Sequence, residues 1–223
     1  FDQFEPHIIF SNNNVIFFDN KGSILKFDNS SKMIWKKNHY SKVEKKLKPI
    51  LFFANNKDTL IVVDTIAKLY AMNIKTGKLL WSKNNSAHFN SQVKVYKDKF
   101  FAIDSANVLR CYSIKDGTEI WNIKTETSLI KSVKKLSLLI KDNTVYFNNS
   151  IGDVSAVDIE NGELLWLTPT HNTKVTGQSF FTKSSVLVAH NNSIYLSNDK
   201  NEFFSVDVKT GIINWQHKIN SIL

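Results

Sequence analysis

The chain has 223 residues, of which 42% are hydrophobic and 22% charged, a composition typical of a globular protein and not of a disordered or fibrous one. It has no run of 18 apolar residues and one cysteine, Cys111, which excludes a membrane-spanning helix, an intrachain disulfide and a cysteine-based zinc cluster. The net charge of +9 suggests an anionic partner, but all of the 29 basic residues except Arg110 are lysines. Because arginine is preferred for bidentate reading of guanine and phosphate, we predict no nucleic-acid partner.

The chain begins with four short segments rich in β-forming residues, and the fourth carries Trp35. Asp19 and Gly22 mark a tight turn between the second and third segments, because Asp bonds its own backbone and Gly accepts a positive φ. The lysine-rich run 42–48 follows, and we predict that it is a solvated loop. The same order of four segments then recurs to the end of the chain.

Five tryptophans mark this internal repeat, at spacings of 46, 40, 45 and 49 residues. They are Trp35, Trp81, Trp121, Trp166 and Trp215. A turn glycine lies four residues before each of the last four, at Gly77, Gly117, Gly162 and Gly211. Four strands joined by tight turns in units of about 45 residues are the pattern of β-propeller blades.

We therefore predict an all-β fold, in which residues 1–223 form one β-propeller domain of five four-stranded antiparallel blades. The blades are expected at residues 6–38, 48–84, 91–124, 131–168 and 178–218. Each tryptophan is expected on the last strand of its blade, mostly buried against a neighbouring blade, since a large indole covers a broad apolar area. Eight blades of this length would need about 360 residues, and we predict an open arc of a seven- or eight-bladed ring. A closed five-bladed ring is the alternative.

The motif small-x-Asp-x-x-Thr-Gly-x-x-x-Trp resembles the tryptophan-docking repeat of quinoprotein-like (PQQ-like) β-propellers. Residues 71–81 match it with Asn73 in place of Asp, and residues 156–166 match it with Asn161 in place of Thr. The short, uninterrupted blades are most similar to the BamB-type outer-membrane assembly factors of this family. The resemblance implies a non-catalytic periplasmic scaffold that binds the outer-membrane barrel assembly protein. It also implies that any membrane association is through a lipid anchor outside this chain.

Two alternatives stay open, a fragment of a PQQ-dependent dehydrogenase and a propeller that binds a small ligand at its central channel. The dehydrogenases of the family carry PQQ, calcium and usually a vicinal cysteine pair, whereas Cys111 is alone and occupies the small-residue position of a repeat. The histidines lack metal-ligand spacing, and Asp64, Asp104, Asp158 and Asp207 occupy turn positions. We therefore predict no catalytic, cofactor-binding or metal-binding residue and no cofactor. The repeated tryptophans and glycines are interpreted as structural, and no partner-binding residue is assigned.

Overall fold

The computed structural model describes residues 7–125, 135–170, 185–198 and 201–219. These residues form five four-stranded antiparallel sheets and one short helix, which confirms the predicted all-β fold of five blades. The strands are β1 (Ile9–Ser11), β2 (Asn14–Phe18), β3 (Ile24–Phe27), β4 (Met33–Lys37), β5 (Leu51–Asn56), β6 (Thr59–Asp64), β7 (Lys68–Asn73), β8 (Leu79–Asn84), β9 (Lys94–Tyr96), β10 (Lys99–Ile103), β11 (Val108–Ser113), β12 (Glu119–Lys124), β13 (Leu138–Lys141), β14 (Thr144–Asn148), β15 (Val154–Asp158), β16 (Leu164–Thr168), β17 (Val188–His190), β18 (Ser193–Ser197), β19 (Glu202–Asp207) and β20 (Ile213–Lys218). The first residues of the predicted blades at 6–38, 131–168 and 178–218 lie outside the described residues.

Each blade is a meander in which the strands pair in chain order, from β1–β4 in the first blade to β17–β20 in the fifth. The two middle strands of a blade are covered on both faces, as in β6, where Leu60, Ile61, Val62 and Val63 are all fully buried. A strand that is buried on both faces needs an unbroken apolar run, as in β6. The last strand of the same blade, β8, lies at the outer edge and is largely exposed.

The hydrophobic core consists of layers between successive blades, because the two faces of one strand serve different layers. Phe53 packs with the first blade, whereas the preceding residue, Phe52, packs with the third. Phe100 and Phe101 divide in the same way between the layers on either side of the third blade. Each blade therefore depends on its neighbours for burial of its apolar faces.

Asp and Asn side chains hold the turn between the second and third strands of each blade. In the second blade Oδ1 of Asp64 accepts the backbone N–H groups of Ile66 (2.9 Å) and Lys68 (2.8 Å). In the fourth blade Oδ1 of Asn149 does the same for Ile151 (3.1 Å) and Asp153 (3.0 Å). These carboxylates and amides are engaged by backbone donors, as expected of turn-forming side chains.

The prediction of a solvated loop over residues 42–48 is wrong, because Lys42–Lys46 form a short helix, α1. Ser41 caps it: its hydroxyl oxygen accepts the N–H of Glu44 at 3.2 Å, and the Glu44 carboxylate accepts the N–H of Ser41 at 2.6 Å. This reciprocal capping box is visible in the sequence as Ser-x-x-Glu. No residue of the helix is buried, so the lysines do face solvent as expected. No helix among the described residues is long and apolar enough to cross a membrane.

The tryptophans lie on the last strands, β4, β8, β12, β16 and β20, but they are not equally buried. Trp35 is 8% exposed, and Trp81, Trp121 and Trp166 are partly buried. The prediction of burial is wrong for Trp215, which is 38% exposed. Among the described residues, its aromatic contacts are with Tyr195, Phe203 and His217 of its own blade, the last that the structure describes.

Candidate functional site

Three indoles join neighbouring blades by a repeated hydrogen bond. The indole N–H of Trp81 donates to the backbone carbonyl of Ile114 at 2.9 Å, and that of Trp121 donates to Ile159 at 3.0 Å. Trp166 donates in the same way to Val208 at 3.1 Å. In each case the acceptor lies three residues before the turn glycine of the following blade. The tryptophan and glycine of the repeat thus act across two blades, as parts of one interface.

The turn glycines are needed for both backbone conformation and space. Gly162 has a φ of +76°, a conformation that side chains disfavour. A methyl group on Gly162 would lie 2.7 Å from Cδ2 of Trp121, and one on Gly211 would lie 2.6 Å from Cδ2 of Trp166. These positions therefore allow the indole face to lie directly on the backbone of the next blade.

The interface between the first and second blades departs from this pattern. Trp35 still packs on Gly77, but its indole N–H is buried with no hydrogen-bond partner. The carbonyl of Ile74, which corresponds to the acceptors above, instead accepts the Lys26 ammonium at 3.0 Å. Lys26 pairs with Trp35 across the sheet, at the position that Ala71 occupies beside its tryptophan in the second blade. Burial lowers the pKa of this lysine, and its carbonyl partner compensates part of the cost.

The first strands of successive blades lie side by side, β5 against β9, β9 against β13 and β13 against β17. In a propeller these inner strands surround the central axis. A cavity of about 300 Å³ lies on this axial side, and its lining includes His7, Phe53, Asn55, Gln92, Lys94 and Lys135. We call it the axial cavity. It collects polar residues from four blades or the segments leading into them.

His7 is fixed in one tautomer at the wall of the axial cavity. Its Nδ1 accepts the backbone N–H of Phe53 at 3.0 Å, and its ring stacks on that of Phe53 with centroids 5.6 Å apart. The ring proton of the neutral imidazole must therefore be on Nε2. Burial, with smaller contributions from the cations of Lys135 and Lys94, lowers the pKa of His7 to about 4. His7 is neutral at pH 7 and offers an Nε2–H donor.

Gln92, Lys94 and Lys135 can also donate hydrogen bonds at the axial cavity, whereas the Asn55 amide can both donate and accept. The carbonyl oxygen of the Gln92 side chain accepts the N–H of Leu138 at 3.2 Å, so its NH₂ group is the end available to a ligand. The Lys135 ammonium lies 5.4 Å from the centroid of the Phe52 ring. Lys94 is half-buried, and burial lowers its pKa. Two cations and neutral donors thus border the same small space.

The family model described as outer membrane protein assembly factor BamB matches residues 20–223. The chain belongs to the BamB family. This confirms the resemblance drawn from the tryptophan repeat. No curated protein sequence matches the chain closely enough to count as a relative.

Solved structures similar to this BamB-family chain share its fold at low sequence identity. BamB from Moraxella catarrhalis aligns with a TM-score of 0.80 and 14% identity, over 96% of this chain and 64% of that one. The computationally designed Ika8 protein aligns with a TM-score of 0.74 and 16% identity, over 95% and 60%. The quinohemoprotein alcohol dehydrogenase ADHIIG from Pseudomonas putida HK5 aligns with a TM-score of 0.73 and 15% identity, over 95% and 41%. The chain thus spans less than two thirds of each of these proteins, and the seven- or eight-bladed ring stays a prediction.

The residues singled out from the sequence take structural positions in this BamB-family chain. Cys111 is buried in the layer between the third and fourth blades, and burial raises its pKa to about 12, so it is a thiol at neutral pH. Among the described residues, no group of three or more His, Cys, Asp or Glu side chains is arranged to hold a metal ion. The axial cavity was missed, because His7, Gln92, Lys94 and Lys135 are brought together only by the arrangement of blades.

The pKa of His7 provides a direct test of the axial cavity's electrostatics. We expect the His7 ring to titrate near pH 4, well below an ordinary histidine, when followed by NMR. Replacing Lys94 with methionine removes one repelling cation and should raise this pKa, whereas Lys97→Met, at an exposed neighbouring position, should leave it unchanged. Because the folded-state pKa is depressed, His7 contributes stability that is complete above about pH 6.5 and is lost as the pH falls toward 4. An ordinary pKa near 6.5 would contradict the buried, neutral imidazole.

Proposed function

We propose that this chain is a non-catalytic, protein-binding scaffold of the outer-membrane barrel assembly machinery, acting in the periplasm. The observation that carries the proposal is the match of the BamB family model over residues 20–223, nearly the whole chain. Its partner is the barrel assembly protein, and membrane association is through a lipid anchor outside this chain. The blades are built from repeated tight turns and short strands, a framework suited to presenting surface to another protein.

The outer edges of the blades support a binding role, because their last strands are edge strands that expose apolar side chains. The fourth blade does so most: Leu164, Leu165 and Leu167 on β16 are 43%, 51% and 38% exposed around Trp166. Exposed apolar edge strands are surfaces on which another chain can pair or pack. We propose β16 as a contact for an extended segment of the barrel assembly protein.

The test is affinity capture from an envelope extract of the source organism, with the purified protein as bait. We expect recovery of the barrel assembly protein with the unaltered chain and a clear reduction with the double variant Leu165→Lys/Leu167→Lys. Leu80→Lys, at an equally exposed edge position of the second blade, is the matched control and should retain capture. Equal capture by all three proteins would reject β16 as the contact, and no capture by any would reject the scaffold function.

The second candidate function is that of a PQQ-dependent dehydrogenase, which the fold of the quinohemoprotein alcohol dehydrogenase and the axial cavity favour. A dye-reduction assay with PQQ, calcium and a panel of primary alcohols separates the two candidates. If the chain is a scaffold, adding the protein should leave the background rate of dye reduction unchanged. PQQ-dependent turnover that is lost on heat denaturation would establish the enzyme instead.

A further inference from the structure

We propose that helix α1 and the two residues after it form a surface that touches the anionic headgroups of a phospholipid bilayer. We call this surface the α1 patch, and its five members are all exposed: Lys42, Val43, Lys46, Leu47 and Lys48. The first argument is that its apolar side chains face solvent. Val43 is 71% exposed and Leu47 is 61% exposed. Because they are four residues apart, they lie side by side on one face of the helix.

The second argument is the positive charge around this apolar pair. Lys42 and Lys46 are also four residues apart and lie next to the pair on the helix surface, and Lys48 follows. Among the described residues, no carboxylate lies within ion-pair distance of these three ammonium groups. The carboxylate of the helix, Glu44, instead accepts the Lys68 ammonium of the second blade at 3.0 Å. The charge of the α1 patch is therefore complementary to an anionic surface.

The third argument is the way in which the fold holds the α1 patch. Tyr40 before the helix and Pro49 after it are buried, and both lie against Gly22 of the first blade. The Tyr40 hydroxyl also donates to Asp64 of the second blade. Both ends of the segment are thus fixed to the blades, whereas no residue of the helix between them is buried.

This arrangement favours a bilayer over a peptide as the occupant. An amphipathic peptide is bound in a groove, whereas exposed apolar side chains flanked by lysines suit the interface of a membrane. There the apolar side chains enter the headgroup region, and the lysine stems extend so that their ammonium groups meet the phosphates. The contact goes beyond the scaffold function and adds to the lipid anchor proposed with it.

The experiment is flotation of the purified protein with lipid vesicles at low ionic strength. We expect binding to vesicles of equal parts phosphatidylcholine and phosphatidylglycerol, no binding to phosphatidylcholine alone, and release by added salt. Lys42→Gln/Lys46→Gln should weaken binding about 25-fold, since each lysine near an anionic membrane contributes about fivefold. Lys115→Gln/Lys209→Gln is the matched control and should bind as the unaltered protein does. It removes the same charge from exposed turns between the third and fourth strands of their blades.

A second readout tests whether the apolar pair enters the bilayer. An environment-sensitive fluorophore attached to Leu47→Cys should shift its emission to shorter wavelength when the anionic vesicles are added. The same label on Thr118→Cys, at an exposed turn of the third blade, should not shift. Cys111 is fully buried and does not compete for the label. Circular dichroism checks that each variant is folded, as expected of changes at exposed positions.

Three results would overturn the proposal. The first is absence of binding to the anionic vesicles, and the second is an unshifted label on Leu47→Cys. The third is equal weakening by the two double lysine variants, which would assign binding to net charge and not to the α1 patch. If the vesicles do not bind but Lys42→Gln/Lys46→Gln loses capture of the barrel assembly protein, the α1 patch is a protein contact instead. The vesicles contain no protein, so failure of this proposal leaves the scaffold function untouched.

Discussion

Replacing Trp121 with alanine is expected to lower the free energy of unfolding by about 3 kcal/mol, measured by urea denaturation followed by circular dichroism. The indole lies on Gly162 of the next blade, and its ring packs against that of Phe101 with centroids 5.7 Å apart. The change also leaves the carbonyl of Ile159 without its 3.0 Å indole donor. The contacts with Gly162 and with Ile159 cross to the next blade, so their loss falls at the interface between two blades.

Trp215→Ala is the matched control, because Trp215 occupies the same repeat position in the last blade that the structure describes. Its side chain is 38% exposed, and its aromatic contacts are within its own blade. We expect this change to cost less than about 1 kcal/mol, as surface substitutions do. Equal losses at the two positions would show that the tryptophans stabilise their own blades, and would contradict docking between blades.

The second large effect is expected at the turn glycine that receives this indole. Gly162→Ala forces a side chain into a φ of +76° and places a methyl group 2.7 Å from the Trp121 ring. The backbone strain costs about 1–2 kcal/mol and the overpacking about 1–3 kcal/mol more. We expect a total loss of about 3 kcal/mol in the free energy of unfolding, measured in the same denaturation assay.

Gly152→Ala separates strain from collision in this prediction. Gly152 also has a positive φ, +99°, but a methyl group there would come no closer than 3.6 Å to the nearest side-chain atom, Oγ1 of Thr170. Gly152→Ala should therefore lower the free energy of unfolding only by the cost of backbone strain. Gly162→Ala should lower it by at least about 1 kcal/mol more. If the two alanine variants are equally stable, the contact of the Trp121 indole is not the reason why the turn at Gly162 requires glycine.

The sequence predicted the blades well because the repeat itself carries the information. Trp121 and Gly162 recur in phase along the chain, and their pairing across an interface follows from a fold in which each unit covers the next. The burial of Trp215 could not be predicted from the repeat, because burial depends on a neighbouring surface and not on the position within the unit. Lys26 was missed because the strand partner of the tryptophan lies nine residues before Trp35 but ten residues before Trp81, which shifts the small-residue position in the first repeat.

The axial cavity shows what a repeat pattern cannot reveal. His7, Lys135 and the pair Gln92 and Lys94 come from three different repeats, so no sequence motif joins them. Their donors converge only because the first strands of the blades lie side by side. The orientation of each group then depends on single contacts, such as that between Nδ1 of His7 and the N–H of Phe53.

The measurement that tests the central claim most directly is a calorimetric titration of this protein with the purified periplasmic region of the barrel assembly protein that is proposed as its partner. The scaffold account predicts a saturable complex of defined stoichiometry, weakened by Leu165→Lys/Leu167→Lys and unaffected by Leu80→Lys. Correct folding of every variant is checked by circular dichroism before titration. Absence of a complex between the folded, unaltered protein and this partner would contradict the account.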